Sequence, residues 1–292
     1  MRNLFLSCVL LLLNASVLAQ DYSPEIEAII RQYLEENDKS GAIRRLQAMV
    51  EADSGNYKAK WQYLFYTSFN KGEGPEVGPA MRAIAEDIRA IVKAAQSDSN
   101  PGFAFFVQSR YAREQSAYEI ALAKIDEALG IAPNSVLYTY AKGSLLVDMG
   151  HWKRNDAMVY SGMDFYKKAN DLAGGKNPAF FTKVDYHFWT AWSYCKLSKC
   201  AMCSPEALAH YKEVVKLNPK NQETLAFAWN NMSCSYRKMR QCDKAREVAE
   251  NALKIMKFGA AEQNLHMSEN CIQMQKIGIM PGPETPGGGS GS

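Results

Sequence analysis

Residues 229–252 read WNNMSCSYRKMRQCDKAREVAENA. Trp229 and Tyr236 lie two helical turns apart, with the apolar-small pair Met232-Ser233 between them. Ala245, Ala249 and Ala252 then recur at the spacing of one face of a second helix. The stretch therefore describes two antiparallel helices. Ser233 and Ala245 are small enough to let the helices approach closely, while Trp229 and Tyr236 are large enough to fill the space beside a neighbouring hairpin.

The same pattern recurs upstream. Ala207, Tyr211, Val214 and Pro219 close one unit, and Ala121, Ile125, Ala128 and Pro133 close another. Gly143, Gly150 and Trp152 mark the first helix and turn of the unit between. Ala42, Leu46 and Met49 outline an early second helix, after which Trp61 opens the next hairpin. The period is roughly 34 residues. Helix starts are written as Ser23-Pro24-Glu25 and Ser204-Pro205-Glu206, with serine as cap and proline at the first helical position. Stops fall at Asp53-Ser54-Gly55, Asn100-Pro101-Gly102, Gly174-Gly175 and Asn218-Pro219. Strand-like alternation is absent. The loop Lys71 to Pro79, an insertion around His151 to Ser161 and a short one before Ser204 interrupt the rhythm.

On these residues the chain resembles the tetratricopeptide repeat family over most of its length, and specifically an exported bacterial member. The resemblance implies an all-α, right-handed superhelical solenoid of about six antiparallel hairpins plus a terminal helix. The expected layout is a helical repeat domain over residues 20–280, best matched at 103–257, with the terminal helix at 260–277.

Residues 1–19 read as a signal peptide. Arg2 gives the positive start, Leu4 to Leu13 the apolar run, and Val17-Leu18-Ala19 the small-residue cleavage pattern. Cys8 raises lipoprotein anchoring as an alternative, but most of the apolar run follows it. That run is too short to span a bilayer comfortably, and no later segment is long and apolar enough to do so. Residues 281–292 (PGPETPGGGSGS) read as a flexible tail or linker. An exported, periplasmic or secreted protein is the expectation.

The formal charge is +3, and loss of Arg2 leaves 33 − 31 = +2. No concentrated basic stripe points to nucleic acid. The four histidines, His151, His187, His210 and His266, form no ligand motif, and no nucleophile elbow, phosphate loop or dinucleotide fingerprint appears. An enzyme, a resident metal and a cofactor are not expected.

Of the seven cysteines, Cys8 lies in the leader. Placed on the repeat, the other six gather along one edge of the last layers, and in an exported chain that favours disulfides. Cys195–Cys234 and Cys242–Cys271 are the candidates between layers, with Cys200–Cys203 as a local bridge. Zinc remains the alternative, since Cys200-Ala201-Met202-Cys203 has ligand spacing that Cys242 and Cys271 would complete.

The resemblance further implies a concave groove lined by first helices, taking a partner peptide or helix. On the best-matched unit it places Phe227, Asn230, Cys234, Arg237 and Lys238 there, with Asn230 facing a ligand backbone and Arg237 or Lys238 a carboxylate. The expected function is a non-catalytic interaction scaffold with a protein partner in the cell envelope. The alternative is a sugar or small-ligand carrier using the aromatic cluster around Tyr186 and Trp189 as its platform.

Overall fold

The computed structural model describes residues 21–69, 77–98, 100–176, 178–199 and 204–279. The signal segment 1–19, Cys200, Cys203 and the tail 281–292 lie outside them, as does most of the Lys71 to Pro79 loop. Among the described residues the protein is all-α, with thirteen α-helices and no strand.

The chain forms two compact units, one built from residues up to Met149 with Tyr160–Thr182, the other from Gly150–Val159 with the residues from Lys183 onward. The first unit contains α1 (Pro24–Leu34), α2 (Lys39–Ala52), α3 (Tyr57–Leu64) continued by a π segment (Phe65–Phe69), α4 (Val77–Ser97), α5 (Pro101–Glu114) and α6 (Tyr118–Ile131). It also takes most of α7 (Val136–Trp152) and α8 (Asp156–Ala173). The second unit contains α9 (Lys183–Ser193), a 3-10 turn (Tyr194–Lys196), α10 (Pro205–Leu217), α11 (Gln222–Lys238), α12 (Cys242–Ile255) and α13 (Gly259–Lys276). Paired in order, these are six helical hairpins followed by a terminal helix.

Caps define the helix starts. Ser23, Asp38, Asn56, Asn100, Ser204 and Asn221 each accept a first-turn backbone N–H through the side chain. A recurrent turn joins the helices of a hairpin. Asn37, Ser116, Arg154 and Arg240 all adopt positive φ (52° to 58°), and the second helix begins two residues later at Lys39, Tyr118, Asp156 and Cys242. At all four the next residue donates its N–H back to the first helix, closing the ladder: Asp38 to Gln32, Ala117 to Ala112, Asn155 to Gly150, and Gln241 to Tyr236. The insertion expected around His151 to Ser161 is therefore no loop. Both helices run almost through it, and three residues make the turn.

The small contact positions work as their size requires. Ser109 donates from Oγ to the Ala121 carbonyl at 2.7 Å, and Ser233 to the Ala245 carbonyl at 2.8 Å, each across one hairpin. Gly143 and Gly162 face each other. A Cβ on Gly143 would stand 2.9 Å from the Gly162 carbonyl oxygen, and one on Gly162 would stand 2.7 Å from that of Gly143. Trp61, Phe103 and Tyr138 fill the first unit's core, and Tyr211, Leu208 and Met232 the second's.

Candidate functional site: the first-helix faces

In the second unit the expected groove residues fall on α11, but the terminal helix has taken that face. Asn230 is 6% exposed. Its side-chain carbonyl accepts from Asn264 Nδ2 at 2.9 Å, and its own amide donates to Asn231 Oδ1 at 3.3 Å. Asn231 in turn donates to the Tyr211 hydroxyl at 3.0 Å. Arg237 donates from Nη1 to Asn264 Oδ1 at 3.1 Å, and burial lowers its pKa. Phe227 packs edge-on against Phe258, just ahead of α13, at 5.2 Å between centroids. Lys238 alone of this group is exposed. Asn230 is thus buried, with its side chain engaged by Asn264 of α13 and by Asn231.

The same helix is stapled in place. Cys242 at the start of α12 is disulfide-bonded to Cys271 on α13, with Cα atoms 5.7 Å apart. Closing a loop of 29 residues in sequence contributes about 3–4 kcal/mol by restricting the unfolded chain. Cys234 is also disulfide-bonded. Cys195 lies half-buried in the 3-10 turn that follows α9. Among the described residues no group of three or more His, Cys, Asp or Glu is placed to hold a metal ion.

α9 carries an aromatic stripe one turn apart, Tyr186, Trp189 and Trp192, with both tryptophans 36% exposed. Beside it His187 Nδ1 meets His210 Nδ1 at 2.9 Å, bridging α9 and α10. Burial, then the neighbouring His210, push the His187 imidazole down to about 4. The turn at 151–156 is tied to the segment after α9, since the His151 ring meets the Lys196 carbonyl at 2.9 Å and Ser198 donates through both N–H and Oγ to Asp156.

In the first unit the first-helix face of α5 has a different character. Phe106, Arg110 and Arg113 share one stripe (i, i+4, i+7). Phe106 is buried between Trp61 of α3, at 5.8 Å, and Tyr138 of α7, at 5.6 Å. Arg113 donates from both Nε and Nη2 to Asp148 on α7; burial works against its charge, but the carboxylate more than offsets this and raises its pKa. Between them the Arg110 guanidinium lies 5.2 Å from the Phe65 ring centroid. Sequence reading missed this position, because no motif marks it.

Chain-wide comparison places this geometry in a known fold. No protein-family model matches the chain, and no curated protein matches it. Among solved structures it is similar to a human IFIT1 dimer with PPP-AAAA, at 14% identity and a TM-score of 0.52, over 83% of this chain and 61% of the other. A monomeric IFIT1 mutant with Gppp-AAAA aligns at 15% identity and 0.52, over 82% and 60%. Another, with m7Gppp-AAAA, aligns at 14% and 0.53, over 84% and 61%. The chain thus covers less than two thirds of these neighbours' length. The likeness shows the fold, a helical-repeat array.

Proposed function

We propose that the protein is a non-catalytic interaction scaffold, exported through cleavage after Ala19, that binds a peptide segment of an envelope partner on the first-helix face of its N-terminal unit. One contrast carries the reading. On the α11 face Asn230 and Arg237 are engaged by Asn264 of α13, whereas on the α5 face Arg110 makes no ion pair among the described residues. No described helix is long and apolar enough to cross a membrane. The RNA held by the structural neighbours is not carried over, because identity of 14–15% speaks only for the fold and the net charge here is small.

A photo-crosslinking residue at Glu114, exposed at the end of α5, tests this in the exported fraction of the native organism. Partner adducts are expected at position 114 and none at Asn264. Adducts at neither position, or retention of residues 1–19 on the purified protein, would count against it.

The Tyr186, Trp189 and Trp192 stripe supports a second reading, a carrier that stacks a sugar or other flat ligand on α9. Ligand-induced protection of Trp189 and Trp192 fluorescence, with no partner crosslinked, would favour it.

A further inference from the structure

His187 on α9 and His210 on α10 are 23 residues apart in sequence, yet the fold brings their Nδ1 atoms to 2.9 Å. The other two histidines are engaged elsewhere, His151 with the Lys196 carbonyl and His266 with Asn270. The helices that carry the pair are held together beside it, since Phe188 of α9 packs edge-on against Tyr211 of α10 at 6.3 Å between centroids. The Tyr186 ring lies against both imidazoles, at 4.8 and 5.8 Å. Each ring is half-buried, so solvent reaches the pair.

In that contact one Nδ1 carries a proton and the other presents its lone pair. Burial lowers the pKa of both rings, which leaves them neutral at neutral pH and able to act as donors. Glu213, one turn along α10 from His210, favours positive charge at both rings, while Lys183 opposes it at His187.

The spacing has a second meaning. Two nitrogens bound cis to one ion, each at about 2.0–2.1 Å, stand about 2.9 Å apart, whereas a tetrahedral ion holds them about 3.3–3.4 Å apart. A turn of about 45° at each ring moves both lone pairs from the line between the nitrogens onto one point beside it, and χ2 of histidine is a soft torsion. Imidazole donors suit copper, nickel and zinc and not magnesium or calcium, which take oxygen. The cis separation then favours the tetragonal ions, copper(II) and nickel(II). Among the described residues no third His, Cys, Asp or Glu completes the set, so water fills the remaining positions and the ion exchanges readily.

We propose that His187 and His210 form a two-histidine chelate for copper(II) or nickel(II), bound through both Nδ1 atoms. The site stands apart from the scaffold reading and needs no partner protein.

The probe is nickel(II) chloride, which leaves thiols unoxidised, titrated calorimetrically into the untagged mature chain at neutral pH. Magnesium chloride at matched ionic strength is the control. One nickel ion per chain is expected, and no magnesium. Paramagnetic nickel should broaden the ring C–H resonances of His187 and His210 before those of His151 and His266. His187→Asn and His210→Asn each keep a polar group near the δ position, so the helix contact can persist, but remove one ring donor. Each should weaken nickel binding at least about tenfold. The double variant His151→Asn, His266→Asn should bind as wild type does. No nickel uptake, uptake unchanged in His187→Asn, uptake lost in the His151, His266 double variant, or zinc bound more tightly than nickel would each overturn the proposal.

Discussion

Arg237 on α11 and Asn264 on α13 are joined by an Nη1 to Oδ1 hydrogen bond of 3.1 Å, which places the terminal helix over the face a further partner would need. Asn264 is the hub of that contact, because its amide also donates to both the side-chain and backbone carbonyls of Asn230.

Asn264→Ala therefore strands the half-buried Arg237 and the buried Asn230 together. Leaving such groups unmatched costs about 1–3 kcal/mol. Urea denaturation of the mature chain should show a midpoint lowered to match, with an unchanged slope. A variant as stable as wild type would mean that water replaces the contact freely.

Gly143→Ala should also destabilise, against the helix-forming preference that favours alanine by about 1 kcal/mol. The added methyl meets the Gly162 carbonyl at 2.9 Å and the Tyr166 ring at the same distance, so the two helices must separate. Overpacking of this kind costs about 1–3 kcal/mol. The same substitution at Gly130, where nothing lies within 4 Å, should be neutral or stabilising. The difference between the two variants in one denaturation series is the measurement.

The His187–His210 pair predicts an acid-side loss of stability. Burial and His210 lower His187 to about 4, and burial lowers His210. Glu213 opposes this at both rings, while Lys183 adds to it at His187. An unfolded histidine takes its proton near 6.5, so between about pH 6.5 and 4 the unfolded chain binds more protons and stability falls as pH falls. Above about 6.5 both states are neutral and the contribution vanishes. For rings this open to solvent the loss is about 1–2 kcal/mol. His187→Gln should flatten that part of the stability profile.

The hairpin rhythm was legible because packing sets it through residue size. Ser233 with Ala245, and Gly143 in a helix of large residues, declare a close approach before any coordinates exist. Six hairpins and a terminal helix follow from that. The turns were harder to see. Their left-handed positions hold Asn37, Ser116, Arg154 and Arg240, where glycine is the usual signal, so the turn at Arg154 read as part of an insertion. The site was least legible of all. Asn230 and Arg237 have the chemistry of a groove, but α13 lies on them, and helix order in sequence does not reveal which face a terminal helix covers. Arg110 has no motif to mark it either.

Ser116 offers a check on the turn itself. It is exposed, with φ of 58°, a conformation that costs a side-chain-bearing residue strain that glycine escapes. Ser116→Gly should raise stability by about 0.5–1 kcal/mol, after the extra entropy of the unfolded chain is subtracted. A thermal melt that moves downward would show that the hairpin turn is held by something other than the backbone.

The central claim is that the α5 face of the N-terminal unit binds a peptide segment of a partner. The most direct measurement is selection of a random peptide library on the mature wild-type chain and on Arg110→Gln in parallel. The account predicts that peptides enriched on wild type bind Arg110→Gln at least about tenfold more weakly, the loss of one charge-assisted contact. Equal binding to the two proteins would contradict it.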